Sequence, residues 1–297
     1  MDYLLLMITA IMWSFVGVLV KFASTMVDSS TISLCRFLFG VIFLGILLIV
    51  KDKKIIFYWK YKWIWLGVIG KSISYISENL AISIGFAYGN VIVGPVQAVF
   101  LAFISVLYFK EEIYFRKIAA VILCILGVLF VNSKGEPISN FMGSGSLITG
   151  LFVITAIGAG IHTISQKKLI QQMDSANMNF SVFLLSTFIT VIPVPYTFNY
   201  TGNFSYLAIF SLIALGFITG ISFYINAKVL KRVPLLVATL LSNSSALFTL
   251  LWAWLIFDEP INIYIVTGAL IFIAGIILLS IPRKDKISKS VTDVQQL

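Results

Sequence analysis

Apolar residues occupy this chain in long runs, separated by short segments that hold nearly all of its charge and its turn-forming residues. A bilayer hydrocarbon core of roughly 30 Å takes about 20 apolar residues per helix, because each backbone polar group there must be satisfied within its own segment. By that rule the pattern predicts an all-α integral membrane protein with ten transmembrane helices. They fall at approximately 3–23, 32–50, 63–84, 90–109, 117–133, 146–166, 178–198, 205–227, 234–257 and 263–281. Met1-Asp2-Tyr3 runs straight into the first apolar stretch without a basic leader or a small-residue cleavage site, so that stretch is read as a retained helix.

Basic residues test the count. Lys51, Lys53, Lys54, Lys60 and Lys62 follow the second span, and Lys110, Arg116 and Lys117 follow the fourth. Lys167 and Lys168 follow the sixth, Lys228, Lys231 and Arg232 the eighth, and Arg283, Lys284, Lys286 and Lys289 the tenth. With the N-terminus in the cytoplasm, 17 of the 21 Lys and Arg lie inside and only Lys134 outside, while Lys21, Arg36 and Lys71 fall within spans. Both termini are therefore expected to be cytoplasmic, in a bacterial-type plasma membrane.

The pattern also repeats. A shift of 148 residues lays Ala98-Val99-Phe100 on Ala246-Leu247-Phe248, Phe109 on Phe257, Glu111 on Glu259, Ile113 on Ile261, Ala120 on Gly268 and Gly127 on Gly275. Residues 1–134 and 145–282 thus read as two five-helix repeats, followed by a polar cytoplasmic tail, 283–297. Five is odd, so the second repeat enters the membrane from the opposite side, and the two are inverted. Inverted repeats are a recurring plan of secondary transporters, with the substrate site between the halves.

Composition agrees with a lipid solvent: 60% of the 297 residues are hydrophobic and 11% charged, and mean hydropathy is +1.03, whereas soluble domains hold about 25% charged residues. The net charge of +9 sits in short inter-span segments and forms no stripe on a soluble fold, which argues against nucleic acid. Cys35 and Cys124 lie inside apolar runs and read as small buried hydrophobes, with no metal site and no disulfide expected. Gly70-Lys71-Ser72 ends like a phosphate-binding loop, but no Gly stands five residues before Gly70 and the segment lies within a span. No nucleotide or other cofactor is expected.

The whole chain resembles the EamA-type members of the drug/metabolite transporter superfamily. The resemblance rests on Met12-Trp13-Ser14-Phe15-Val16-Gly17 with Lys21, on Arg36, on Gln97-Ala98-Val99-Phe100 through Lys110-Glu111, and on Ala246-Leu247-Phe248 through Phe257-Asp258-Glu259-Pro260. Family members often carry Pro before the Val/Leu-Phe pair, where Ala98 and Ala246 stand here, with Pro95 one turn earlier. The resemblance implies ten spans in two homologous halves and transport of small metabolites such as amino acids, nucleotide-related compounds or drugs.

An ionisable group deep in a span is a functional candidate. Lys71, Ser74 and Glu78 lie at i, i+3 and i+7 on one face of the third span, with Tyr75 beside them. Glu78 reads either as a carboxylate for a substrate amine or a proton, or as the partner of Lys71, Lys21 or Arg36 in an ion pair. Asn226 stands 148 residues on, at the matching position of the second half. Asn243 and Ser244, within Ser242-Asn243-Ser244-Ser245, either line a cavity or bond between helices. Gln97 and Trp13 gain weight from the resemblance, and His162, the single histidine, is either a proton site or bonded to a helix carbonyl. Arg36 keeps its charge and calls for an acid or an anionic group, with a structural pair favoured. Glu111 and Glu259 flank span ends, where solvation and helix capping suffice.

These residues point to a secondary carrier of small metabolites, amino-acid-like or other small organic solutes, with export expected and a cavity between the halves opening alternately to each side. The partners expected are a small-molecule substrate and the lipid bilayer. An intramembrane enzyme would need paired groups at depth, and one His with one deep acid supplies neither a carboxylate pair nor a histidine pair. An accessory or lipid-flipping subunit is the other alternative, against which the full ten-span length argues.

Overall fold

In the computed structural model, residues 2–109, 115–133, 144–200, 204–229, 231–232, 242 and 245–280 are described, and they are overwhelmingly helical. The first apolar run forms α1 (Asp2–Ser14) and α2 (Val16–Ser24), interrupted at Phe15. α3 (Ser29–Asp52) and α4 (Lys62–Ile84) follow, then a 3₁₀ helix (Ala87–Ile92) leading into α5 (Val93–Phe109), then α6 (Phe115–Ser133). α7 (Ser144–Leu169), α8 (Ser175–Val191) and the short α9 (Val194–Thr197) come next. α10 (Tyr206–Phe217) passes through a π-helical segment (Ile218–Ser222) into α11 (Phe223–Val229). α12 (Ser245–Phe257) and α13 (Ile263–Ser280) close the described chain.

Local chemistry sets several of these boundaries. The Asp28 carboxylate accepts from the amides of Ser30 and Thr31 at the start of α3. Asp174 does the same for Ala176 and Asn177 at the start of α8, satisfying amides that a helix N-terminus otherwise leaves unpaired. α3 and α12 end on left-handed residues, Lys53 and Asp258, each with φ 49°. The Asp258 amide donates to the Trp254 carbonyl and the Glu259 amide to the Ala253 carbonyl, the usual closure of a helix C-terminus.

Four segments are long and apolar enough to cross a membrane: Asp2–Ser24, Ser29–Asp52, Ser146–Leu169 and Tyr206–Val229. Shorter apolar helices span Ile118–Gly127, Ser175–Val191, Phe248–Phe257 and Ile263–Gly275. α4 is in neither group, and α4 carries Lys71, Ser74, Tyr75 and Glu78. Large apolar side chains such as Val50, Phe188, Ile192, Phe210 and Trp254 face outward, as lipid requires.

Inside, helices approach through small residues. α4 lies along α7, where a methyl group at Gly70 would sit 2.7 Å from the Gly158 carbonyl oxygen and one at Gly158 would sit 2.6 Å from that of Gly70. α6 lies along α13 in the same way. A methyl group at Gly127 would meet Phe272 Cβ at 2.6 Å and the Gly268 oxygen at 2.7 Å, and one at Gly275 would meet Cys124 Sγ at 2.8 Å and the Ala120 oxygen at 3.0 Å. α3 packs on α8 and α10.

Contacts between linking segments gather at two ends. At one end the Ile56 amide donates to Asn177 Oδ1, the Tyr58 amide to Ser181 Oγ and Lys231 Nζ to the Met173 carbonyl, while Arg232 pairs with Asp2 at 3.9 Å. At the other, Val27 bridges Tyr200, the Asn199 amide donates to Asp28, and Lys21 Nζ donates to the Gly85 carbonyl. Glu259 there accepts from the amides of Ala87 and Tyr88, capping the 3₁₀ helix. Glu259 is 7% exposed, so capping holds as expected from sequence but the expected solvation does not.

Candidate functional site

A cavity of about 270 Å³ lies among the helices, walled by residues from α1 to α5, α7, α11, α12 and α13 and by Asn90 and Val91 of the 3₁₀ helix. α4 supplies its charged wall because the spacing read from sequence does place Lys71, Ser74, Tyr75 and Glu78 toward one side. Trp13, Gln97, His162 and Asn226 line the same space. Asn243 and Ser244 lie outside the described residues, while their neighbours Ser242 and Ser245 border the cavity.

Arg36 takes Glu78. Its Nη1 donates to Glu78 Oε2 at 2.8 Å and to Asn79 Oδ1 at 2.7 Å, with Arg36 buried and the Glu78 side chain 14% exposed. Asn79 Nδ2 donates onward to Ser33 Oγ, which donates to the Ser29 carbonyl, so the pair is anchored through α4 to the first turn of α3. The Arg36 guanidinium carbon lies 3.7 Å from the Tyr75 ring centroid. Tyr75 stacks on Phe37 and its hydroxyl hydrogen-bonds Thr219 Oγ1 at 3.1 Å, fixing the ring from two sides. Of the two sequence readings of Glu78, the ion pair is the one whose geometry is present, and Arg36 is its partner.

Lys71 is arranged differently. Its Nζ lies 4.2 Å from the Tyr75 centroid and 3.9 Å from that of Phe223, and it takes part in no ion pair among the described residues. His162 is buried, with its ring 5.7 Å from Phe223 edge-to-face and 6.3 Å from Phe183. Its ring lies against the backbone of Gly67 on α4, in keeping with the reading of a histidine set against a helix backbone group. Trp13 faces inward, its ring 5.3 Å from Phe223 and its Nε1 buried without a partner among the described residues. Gln97 donates to Thr163 Oγ1 at 2.9 Å, and Asn226 lies 3.5 Å from Ser242 Oγ. Among the described residues no three His, Cys, Asp or Glu side chains converge on a metal position.

The cavity is mostly apolar with a few charged and amide groups set into it, a composition that suits a small solute, and comparison with known proteins agrees. The profile of the EamA-like transporter family matches residues 1–133 and 147–281. The chain belongs to the EamA-like transporter family. It is similar to an uncharacterized transporter of Archaeoglobus fulgidus, at 21% identity over 290 residues, covering 93% of this chain and 98% of that protein. A solved crystal structure shares the fold, with a TM-score of 0.70 over 94% of this chain and 97% of that one, at 13% identity. This EamA-like protein is accordingly a multi-pass membrane transporter, with a small-molecule substrate and the bilayer as its surroundings.

Sequence reasoning missed Phe223, which forms part of the Lys71 box in this EamA-like transporter. Position alone placed it in an apolar run, and the π-helical segment just before it sets the register that carries its ring to Lys71. Asn90, whose Oδ1 is buried without a partner, was also passed over, because a single Asn near a span end carries no distinguishing pattern.

Proposed function

We propose that this chain is a secondary carrier of small organic solutes that works by alternating access between two inverted five-helix repeats, ten spans in all, with both termini cytoplasmic. The observation that carries the reading is the cavity itself, bordered by charged and amide side chains from both halves of the chain yet enclosed by apolar helices.

The repeat reading is supported by a reciprocity in the α6–α13 contact. Gly127 abuts Gly268 and Phe272, while Gly275 abuts Ala120 and Cys124. Raising the first-half residues and lowering the second-half residues of either set by 148 generates the other, which is the relation a two-fold axis imposes on a contact. Helix pairing supports it too: α3 with α8 and α6 with α13 are self-matched under the shift, and α4 with α7 is matched by α10 and α11 with α2 and α1. The sidedness reading is supported by the end contacts, each of which joins segments that the distribution of Lys and Arg assigns to one side.

The test is uptake of an amino-acid and metabolite panel into liposomes holding the purified protein, with and without a pH gradient, for the parent and Glu78→Gln. Accumulation that follows the gradient and is lost in Glu78→Gln is the expected result for a coupled carrier that uses this carboxylate. Gradient-driven uptake retained in the variant would confine Glu78 to its pairing with Arg36, and failure to move any solute would sink the carrier reading.

A further inference from the structure

We propose that the Lys71 ammonium anchors a carboxylate of the transported solute, making the substrate a small organic monoanion with an apolar or aromatic body. This deepens the carrier reading and rests on it.

The argument is one of charge and of unmet partners. Three of the described lining side chains are ionisable: Arg36 and Lys71 as cations and Glu78 as an anion. Arg36 and Glu78 satisfy one another at 2.8 Å, with Asn79 completing the guanidinium's bonds on that side. Lys71 is left as a buried cation, 4% exposed, with no carboxylate within 4.0 Å among the described residues. An ion held out of water without a counter-ion is costly. The faces of Tyr75 and Phe223, 4.2 and 3.9 Å away, offset part of that cost through their quadrupoles. Aromatic faces attract a cation but accept no conventional hydrogen bond, so the three N–H groups of Lys71 remain available to an acceptor arriving in the cavity.

The surroundings specify that acceptor. His162 borders the same cavity, its ring edge-to-face with Phe223 and both of its nitrogens buried, so Lys71 is the donor that the described lining offers here. Among the described lining residues the cations outnumber the acid by one, which a monoanion balances. A phosphate ester near neutral pH carries more charge than one ammonium offsets, and Nη1 of the nearby guanidinium is already taken by Glu78 and Asn79. A solute cation would find Glu78, the one acid among the described lining residues, already paired. Trp13, Val91 and Leu101 supply apolar wall, and about 270 Å³ limits the occupant to a small molecule.

Calorimetric titration of the detergent-solubilised full chain tests this with isovalerate, benzoate and phenylacetate, the corresponding amides, and phenyl phosphate, on the parent, Lys71→Met and Lys71→Arg. At least one carboxylate is expected to bind the parent more tightly than its amide and than phenyl phosphate. Lys71→Met should lose about tenfold or more of that affinity, the size of one charge-assisted hydrogen bond, while Lys71→Arg keeps most of it. Amides equal to or better than every carboxylate on the parent would overturn the proposal, as would unchanged carboxylate affinity in Lys71→Met, and tighter phenyl phosphate would overturn the carboxylate class. The comparison on the parent stands even where Lys71→Met does not fold. Liposome uptake separates the two readings: a carboxylate that binds through Lys71 but is never transported sinks the carrier and spares the anchor, whereas transport indifferent to Lys71 does the reverse.

Discussion

Arg36 and Glu78 sit 42 positions apart and form a buried ion pair of 2.8 Å in the cavity wall. Removing one partner of such a buried pair typically costs 3–5 kcal/mol, roughly, because the other is stranded, while removing both costs much less. Arg36→Met and Glu78→Gln should therefore each lower thermal stability in detergent more than the double variant predicts by addition, with a coupling of about 1–3 kcal/mol in a double-mutant cycle. Additive effects would mean that the pair is not formed in the folded protein. The depth of Glu78 was legible in sequence, since an acid in an apolar run stands out, but its choice among Lys71, Lys21 and Arg36 was not. That choice depends on how α3 and α4 rotate against each other, and rotation is fixed by many weak contacts, Tyr75 on Phe37 among them, that no local pattern encodes.

The helical, apolar character of the chain was legible from hydropathy, because lipid thickness and backbone satisfaction are hard constraints, and four of the expected spans recur as long apolar helical segments. The interruptions were not. Phe15 ends α1 and the π-helical turn at Ile218–Ser222 divides α10 from α11 without a proline in either segment. Phe15 stacks on Trp252, Ser14 accepts from Trp252 Nε1, and Thr219 reaches Tyr75, so both irregularities are held by partners distant in sequence. Close helix approach gives the clearest expectation at this level. Gly158→Ala should destabilise the protein, since its methyl would intrude on the Gly70 carbonyl and the Ser74 amide, whereas Gly150→Ala, in the same helix with open space around it, should stabilise by up to about 1 kcal/mol from helix propensity. Thermal unfolding of the two variants side by side checks this, and equal behaviour would contradict the α4–α7 packing.

Sidedness can be read by labelling. In a background with Cys35 and Cys124 replaced, cysteines at Lys54 and Lys167 should resist a membrane-impermeant thiol reagent in intact cells, while cysteines at Tyr196 and Pro260 should react. The opposite result would invert the assignment drawn from the basic residues. That assignment was legible because lysines and arginines accumulate on one side for reasons of insertion, independent of tertiary contacts. The cavity was not, since it arises only where residues of both halves converge. One consequence of the interior follows from thermodynamics. Helices here meet through glycines, hydroxyls and amides together with buried apolar side chains such as Phe37, Leu44 and Ile64, groups that would face lipid and not water before the helices assemble. Little apolar surface then leaves water when the helices associate, so that step carries almost no heat-capacity change, and chilling the bilayer should not loosen the bundle as it loosens a water-soluble core.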